Sequence, residues 1–135
     1  MKPVTTIGRA ERVDFPDADL TDIPAKVDTG AFSSSVWATN IREENGVLYF
    51  NLLDSGNELS TDKFEMVDIE NSFGHSEVRY GVKLWVVLKG RKVRTTFTLA
   101  DRSNKTYPVL LGRKLLRRKF IVDVTQGNPI PDGEY

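Results

Sequence analysis

The segment Asp28-Thr29-Gly30 carries the clearest chemistry in the sequence. It directly follows a short apolar stretch, 25–27, that we predict to be a strand, and a strand end holds a carboxylate in a fixed place. Thr29 can donate a hydrogen bond to a neighbouring loop, and Gly30 lets backbone N–H groups approach the acid closely. Because the same tripeptide is also an ordinary turn sequence, a purely structural role stays open. Asp28 is therefore a candidate catalytic carboxylate that needs support from elsewhere in the chain.

A second acidic motif, Asp54-Ser55-Gly56, follows another apolar run. Like the first motif, it is an aspartate followed by a hydroxyl residue and glycine, so Asp54 could be a second catalytic aspartate within the same chain. It also lies between two apolar runs, where Asp, Ser and Gly commonly form a turn. We interpret it as a turn and keep the catalytic alternative open.

The chain offers little for a metal or a cofactor. It has 135 residues, no cysteine and a single histidine, His75. Zinc sites in proteins generally use two or more nitrogen or sulfur ligands, so His75 is better interpreted as a loop residue or a substrate contact. No Gly-x-x-x-x-Gly-Lys-Ser/Thr segment for phosphates occurs either. We predict no metal and no cofactor.

Short strands must position Asp28. Apolar and β-branched runs predict strands over 4–13, 25–27, 36–41, 47–53, 63–69, 78–88, 92–99, 107–111 and 120–124. Asn45-Gly46 and the segment 89–91 are predicted hairpin turns. An acid-rich loop over 14–22 is bracketed by two prolines, which discourage helix. Only 113–119 has helical spacing, so we predict an all-β, closed or sandwich-like fold with one short C-terminal helix.

Charge is balanced in number but not in position. Lys and Arg number 19, as do Asp and Glu, yet residues 1–70 hold six basic and fourteen acidic side chains and residues 71–119 hold thirteen basic and two acidic ones. The asymmetry predicts either cross-strand pairing or a basic face for an anionic ligand. Aromatic residues do not alternate with the basic ones, which argues against nucleic acid. No apolar run is long enough to cross a membrane, so we expect a cytoplasmic protein without a membrane partner.

The segment Val109-Leu110-Leu111-Gly112-Arg113 adds a second motif. Together with Lys26-Val27-Asp28-Thr29-Gly30-Ala31 it resembles the retropepsin family of aspartic proteases, in which Asp-Thr-Gly-Ala is followed downstream by two apolar residues, Gly and Arg. The resemblance is closer still to a bacterial family labelled ATP-dependent zinc protease. Its counterparts here are 26–32 and 110–123, and the resemblance covers 4–124. That family commonly has arginine where this chain has Phe32.

The resemblance implies a fold and a site. The fold would be a retropepsin-like closed β-barrel in a single domain over 1–135, with an ordered core over 4–124, an inserted hairpin within 42–64 and a loose tail over 126–135. Asp28 would be catalytic. The residues supporting its loop would be Thr29, Gly30, Ala31, Gly112 and Arg113. Because the chain has one apolar-apolar-Gly segment, the second catalytic aspartate would come from an identical subunit in a homodimer.

The same resemblance implies a substrate and a flap. The family is associated with ligases that add glutamates to ribosomal proteins, which implies an acidic peptide or protein tail as substrate. The hairpin tip that covers it falls at 71–76 when counted back from Gly112 and at 54–57 when counted forward from Asp28; we prefer 71–76. Candidate substrate contacts or flap residues are Phe32, Ser33, Phe73, Gly74 and His75. Two rivals remain: a non-catalytic binding or assembly module on the same fold, and a metal-dependent hydrolase.

Overall fold

The protein is described by a computed structural model over residues 3–70 and 73–130. Within these residues the secondary structure is almost entirely β, with a single four-residue α-helix and a 3-10 turn at Pro16–Ala18. The elements are β1 Thr5–Ile7, β2 Ala10–Phe15, β3 Leu20–Val27, β4 Ser34–Glu44, β5 Val47–Leu52, β6 Glu58–Thr61, β7 Glu65–Glu70, β8 Ser76–Leu88, β9 Arg91–Ala100, β10 Val109–Leu111, α1 Arg113–Leu116 and β11 Phe120–Val122. The prediction of an all-β fold with one short helix is confirmed.

Six strands close into a ring. Following hydrogen bonds from strand to strand, the order is β10, β3, β2, β8, β9 and β4, and β4 pairs again with β10. Two extensions leave the ring: β5 and β6 continue from β4, and β7 pairs with β8. A separate parallel pair joins β1 to β11. The expected closed barrel is therefore present, and β10 from the far end of the sequence completes it.

The core fills the inside of this ring. Strand alternation points apolar side chains inward, and the largest ones, such as Phe15, Phe97 and Leu111, are fully buried. The rings of Phe15 and Phe97 meet edge to face with centroids 5.4 Å apart, a favourable aromatic geometry. Leu115 and Leu116 of α1 are buried in the same cluster. Of the five buried polar residues in the described part of the chain, three are joined to one another by hydrogen bonds, namely Ser34, Ser35 and Thr98.

Both predicted hairpin turns are confirmed. Asn45 and Gly46 have positive φ angles of 53° and 79° between the paired residues that end β4 and begin β5. Lys89 and Gly90, at 50° and 74°, do the same between β8 and β9. Two consecutive residues at positive φ match the right-handed twist of the flanking strands, which is why these dipeptides favour hairpins.

Several predicted boundaries are wrong. The loop over 14–22 and the short strand at 25–27 give way to β3, which begins at Leu20 and contains Pro24. Pro24 is tolerated because β10 pairs with β3 only from Ala25 onward, so the missing N–H breaks no bond on that side. The single strand expected over 4–13 is two strands, because β1 pairs with β11 whereas β2 pairs with β3.

The predicted helix over 113–119 is also too long. Arg117 leaves the helical region at φ −58° and ψ 138°, and Arg118 follows at φ 66°. The chain must reverse there to bring Phe120 alongside Thr5 in the β1–β11 pair. The helix is thus one turn, and nowhere in the described part of the chain is there a helix with the length and apolar character needed to span a membrane.

Candidate active site

Asp28 lies at the end of β3, where main-chain hydrogen bonds hold it. Its backbone N–H donates to the carbonyl of Leu111, 2.9 Å away, which continues the parallel pairing of β3 with β10. The N–H of Gly30 donates to Asp28 Oδ1 at 2.9 Å, and the N–H of Ala31 donates to the Asp28 carbonyl at 3.3 Å. Asp28 is half-buried, whereas Thr29 is exposed. The loop therefore orients a carboxylate at the surface without needing another side chain.

Gly112 lies directly beneath this loop. A Cβ at this position would come within 2.6 Å of the Ser33 carbonyl oxygen and 2.8 Å of that of Phe32, distances that real Cβ atoms do not show. The Gly112 N–H donates to the buried Ser34 Oγ at 3.0 Å. The segment after β10 must therefore be glycine, because only glycine lets the two backbones approach this closely.

Hydrogen bonds from buried serine and threonine hydroxyls further stabilise the backbone below the loop. Thr98 Oγ1 donates to the Ser34 carbonyl and Ser35 Oγ donates to the Thr98 carbonyl, each at 3.4 Å. These bonds tie β4 to β9 just where β4 begins. Buried polar groups without partners destabilise a fold, so this network explains why three polar residues occupy the interior here.

The start of α1 fixes the other side of the loop. The N–H groups of Arg113 and Lys114 donate to the carbonyls of Ala31 and Phe32 at 2.8 and 3.0 Å. The Arg113 side chain reaches back, and its Nη1 donates to the Thr29 carbonyl at 3.0 Å. The structure thus brings together all of the residues predicted to support the loop around Asp28.

A cleft of about 370 Å³ opens beside this loop. One wall is formed by Gly30, Ala31, Phe32 and Ser33, and the opposite wall by the ends of β7 and β8. Of the two candidate flaps, the β7–β8 hairpin borders the cleft, whereas residues 54–57 do not. Two residues of its tip, 71 and 72, lie outside the described residues.

The described part of the hairpin tip is exposed. Phe73 has 84% of its surface accessible, and Gly74 adopts a positive φ of 80°. His75 is exposed next to them. Within the described residues no three His, Asp or Glu side chains are grouped so that they could hold a metal ion. The donor set thus does not fit the zinc of the family label, and we derive no step through a metal.

Two arginines give the cleft a basic side. Arg102 is partly buried, and its Nε donates to the Tyr107 carbonyl at 3.0 Å. Burial lowers the pKa of Arg102, the positive charge of Arg79 lowers it further, and the negative charge of Asp28 raises it. Arg102 therefore interacts with the charges of both Arg79 and Asp28. The guanidinium is still charged at neutral pH, since arginine pKa values start so high.

Arg79 is engaged by a neighbouring carboxylate. Its Nε donates to Glu77 Oε1 at 2.7 Å, and its Nη2 donates to the same oxygen. In the register of the hairpin, Arg79 pairs with Val67, so both lie on the face that also carries Ile69 and Glu77. The side chains of Asp68 and Glu70 belong to the opposite face. The cleft side of the hairpin therefore presents Ile69 and Arg79, with Arg79 bound to Glu77, while Asp68 and Glu70 also border the cleft.

Phe32 occupies the position where the family commonly has arginine. Its ring is about half exposed, at 49%, and the guanidinium carbons of Arg113 and Arg117 each lie 5.9 Å from its centroid. At such distances a cation is attracted to the face of an aromatic ring. Positive charge is thus present beside residue 32 although residue 32 itself is neutral.

Asp54 lies in a turn, away from Asp28. Leu53 has a positive φ of 58°, and the Ser55 N–H donates to the Leu52 carbonyl at 3.2 Å. Asn51 Nδ2 donates to the Ser55 carbonyl at 2.8 Å, which closes the segment on its own strand. This geometry agrees with the interpretation of Asp54-Ser55-Gly56 as a turn.

Sequence reasoning missed the parts of the site that come from elsewhere in the fold. Arg79, Arg102, Ser34 and Thr98 were not among the candidates. Arg79 and Arg102 belong to a generally basic segment in which nothing distinguishes one arginine from the next. For Ser34 a signal existed, because a run of three serines directly before a strand is unusual beside an apolar barrel.

Two features together define a retropepsin-like protein. One is a closed ring of strands, and the other is an Asp-Thr-Gly loop that packs over an apolar-apolar-Gly segment lying between two of those strands. Residues 6–130 match the RimB-like family, described as "Retropepsin-like aspartic endopeptidase RimB". The chain belongs to this family, and the resemblance stated from the sequence is confirmed.

Other relatives carry a different name. The chain is 33% identical over 130 residues to a protein of Shewanella pealeana and 29% identical over 129 residues to one of Desulfotalea psychrophila, each named "Probable alpha-L-glutamate ligase". The alignments cover 89% and 87% of this chain but only 28% and 27% of those proteins. This chain thus spans less than a third of the length of these curated relatives.

A solved structure shares the fold over nearly its whole length. It is a crystal structure of a Legionella pneumophila protein described as having unknown function (DUF785). The TM-score is 0.68 at 29% sequence identity, and the superposition covers 90% of this chain and 95% of that one. The two chains therefore have the same architecture at closely similar size.

Proposed function

We propose that the chain is an aspartic peptidase of the retropepsin type, in which the Asp28 carboxylates of two identical protomers hydrolyse a peptide bond. The observation that supports this best is the geometry of the Asp28 loop. A half-buried carboxylate stands at a strand end, its Oδ1 receives the Gly30 N–H, and the loop is clamped from below by Gly112 and from the side by Arg113. Rigid positioning of this kind is what catalysis by a carboxylate needs.

Each of the two carboxylates would have one role. The ionised carboxylate takes a proton from water while the water oxygen adds to the scissile carbonyl carbon. The protonated carboxylate donates a hydrogen bond to the carbonyl oxygen, which gains negative charge. The tetrahedral intermediate then breaks as the amide nitrogen accepts a proton and leaves. Because the pair shares one proton, it titrates as a unit.

The need for two chains follows from the position of the other candidate. Within residues 3–70 and 73–130, the loop at Asp28 is the one Asp-Thr/Ser-Gly segment that packs on a glycine directly after a strand, which is Gly112 after β10. Asp54 lies in a separate turn. A two-fold axis beside Asp28 would supply an identical carboxylate. The homodimer is thus part of the proposal.

An acidic polypeptide is the substrate class that the cleft favours. Arg79 and Arg102 border it together with Asp68 and Glu70, and the added positive charge comes from Arg113 and Arg117, which flank Phe32 at its rim. Relatives of this chain are named "Probable alpha-L-glutamate ligase", which is why glutamate is the acidic residue that we propose. We infer that a glutamate-rich tail in the cytoplasm is cut here.

The experiment that tests the proposal compares wild-type chain with Asp28→Asn on a glutamate-rich peptide, with fragments measured by mass spectrometry. We expect cleavage by the wild type and none by the variant, while circular dichroism and sedimentation stay unchanged. In an equal mixture of exchanging wild-type and variant protomers, only about a quarter of the dimers carry two Asp28 residues. Activity should fall to that fraction of the value for an all-wild-type sample at the same total concentration; a fall to one half would mean that single protomers act alone.

A non-catalytic binding or assembly module is the second candidate. It is favoured by the comparison in which a region similar to this chain makes up 28% of a protein named for a ligase. A strictly monomeric chain that binds a glutamate-rich peptide but cleaves none, from acid to neutral pH, would establish this alternative and exclude the peptidase.

A further inference from the structure

The outer face of β8 and β9 carries a row of basic side chains, of which the proposed function uses only Arg79. Residues paired across two antiparallel strands lie on the same face, and the register pairs Lys83 with Thr96, Trp85 with Arg94, and Val87 with Lys92. Lys83, Lys92 and Arg94 are exposed. We call Arg79, Lys83, Trp85, Lys92 and Arg94 the basic track.

The basic track begins at the cleft beside Asp28. Gly81 pairs with Thr98, and Thr98 lines the cleft together with Arg79. The next opening along the face, of about 450 Å³, is lined by Gly81, Thr96, Lys83 and Arg94, with Lys63 and Phe64 on its far side. A further one of about 330 Å³ shares Lys83 and Arg94 and reaches Trp85. From Arg79 to Trp85 the strand rises about 20 Å, the length of about six extended residues.

The basic track and the two openings along it form a groove. The positive charges in this groove are only partly neutralised by acidic side chains of the same molecule. Lys63, Lys83, Lys92 and Arg94 form no ion pair with another described residue. The acids that line the two openings along β8 and β9 are Glu65 and Asp17, whereas Asp68 and Glu70 border the cleft where the track begins. Asp17 Oδ2 already accepts the Trp85 N–H at 3.0 Å, and Glu77 is held by Arg79 at the other end. An excess of positive charge is left along the face.

The aromatic residues distinguish between two kinds of anionic ligand. Trp85 is 38% exposed, but the Lys92 ammonium lies 4.9 Å from the centre of its ring. Phe64 packs edge to face on Tyr80 with centroids 5.7 Å apart. Single-stranded nucleic acid needs free aromatic faces on which successive bases stack. The face favours carboxylates on an extended chain.

We propose that the basic track is an exosite that binds a run of acidic side chains in an extended polypeptide whose scissile bond lies at Asp28. This inference rests on the proposed function and adds to it the place where the uncleaved part of the substrate runs. Glu77 then has a role as well: it holds Arg79 until a substrate carboxylate replaces it at the junction of cleft and track.

The test measures binding separately from cleavage. The probe is a fluorescein-labelled octaglutamate peptide, titrated by anisotropy against Asp28→Asn protein, in which the peptide stays intact. We expect the pair Lys83→Gln and Arg94→Gln to weaken binding by about tenfold, because each exposed ion pair contributes up to about a factor of five. The control pair, Lys105→Gln and Arg118→Gln, removes the same charge from exposed sites outside the groove and should change binding by less than about twofold.

Two further readouts make the assignment specific. Octaglutamate should quench the Trp85 fluorescence, and the change should be absent in Trp85→Phe. In wild-type protein that retains Asp28, the track pair should raise KM for a long acidic peptide and leave kcat within about twofold, since the track touches no reacting atom. A tetrapeptide, too short to reach Lys83, should show no such rise.

The outcomes separate this inference from the one it rests on. Equal losses for the track and control pairs, or no loss for either, would overturn the exosite even if peptides are cleaved. Tighter binding of a 20-nucleotide single strand than of octaglutamate, weakened by the track pair, would overturn it in favour of nucleic acid. Track-dependent binding without any cleavage would support the exosite and remove the peptidase instead.

Discussion

Two segments of this chain have the pattern aspartate, hydroxyl residue, glycine, and only one of them is built as a site. Asp28-Thr29-Gly30 is joined by hydrogen bonds to Leu111 and Arg113, which come from the far end of the sequence. Asp54-Ser55-Gly56 is closed on its own strand by bonds from Ser55 to Leu52 and from Asn51 to Ser55. The comparison teaches that what distinguishes the two segments is the support from β10 and α1, not the tripeptide itself.

The two segments also differ in how tightly their surroundings pack and in whether their buried hydroxyl groups have hydrogen-bond partners. Gly112, below the first, has no room for a Cβ, whereas nothing lies within 4 Å of where a Gly56 Cβ would be. Ser34 Oγ accepts a buried N–H, whereas Ser55 Oγ is buried without a hydrogen-bond partner. Each difference can be turned into a paired substitution.

The largest expected difference is in catalysis. Asp28→Asn should lower kcat/KM on a glutamate-rich peptide by about 10⁴-fold, the scale seen when a catalytic group is removed. Asp54→Asn should leave kcat/KM within about twofold, because Asp54 lies in a separate turn that is closed on its own strand. Initial rates over matched protein concentrations give both values. Comparable losses in the two variants would show that the second aspartate is part of the catalytic pair.

The next difference is in stability. Gly112→Ala should lower the free energy of unfolding by about 3 kcal/mol, because the new Cβ would overlap the backbone of Phe32 and Ser33. Gly56→Ala should change it by less than about 0.5 kcal/mol, or raise it slightly by restricting the unfolded chain. Urea titrations followed by circular dichroism measure both. Equal effects would mean that the loop over Gly112 can shift at no cost.

The buried hydroxyls should give a smaller difference of opposite sign. Ser34→Ala leaves the Gly112 N–H buried without an acceptor and should destabilise the fold by about 2 kcal/mol. Ser55→Ala removes a buried hydroxyl that bonds to nothing and should stabilise by up to about 1 kcal/mol. The same urea titrations apply. A stabilising Ser34→Ala would show that the hydroxyl network does not support the loop.

The smallest expected effect on stability comes from Arg113. Its exposed bond to the Thr29 carbonyl is worth less than about 1 kcal/mol, so Arg113→Gln should barely change unfolding. It should nevertheless lower kcat by about tenfold, since a loosened loop misplaces the carboxylate. Lys114→Gln is the matched control, because Lys114 contacts the loop only through its backbone N–H. If the two variants have the same kcat, the Arg113 side chain does not position the loop.

Local signals in the sequence were enough for much of the fold. Asn45-Gly46 and Lys89-Gly90 predicted their hairpins because positive φ is a property of the turn residues themselves. Strand β6 was missed because Glu58-Leu59-Ser60-Thr61 is largely polar, and it is a strand through its pairing with β5. The end of α1 was also missed, since the turn at Arg117 is set by where β11 must go.

The site was predictable only in part, for a related reason. Asp28 and Gly112 were placed together by resemblance to a family, because no spacing rule brings residues so far apart in sequence into contact. In the sequence, Arg79 and Arg102 look like any solvated arginine, and only the fold places both in one cleft and Arg102 within range of the Asp28 charge. Charge counts allowed either cross-strand pairing or a basic face, and the register of β8 and β9 was needed to show which basic residues share one face.

The insertion of β10 between β3 and β4 has a consequence for how the protein is made. A growing chain that has left the ribosome only as far as Asp101 already contains Asp28, β3, β4 and β9, but nothing to join β3 to β4 at their site end. The cleft cannot assemble until residues 109–113 emerge. Until that segment has been made, the loop at Asp28 lacks the strand that holds it.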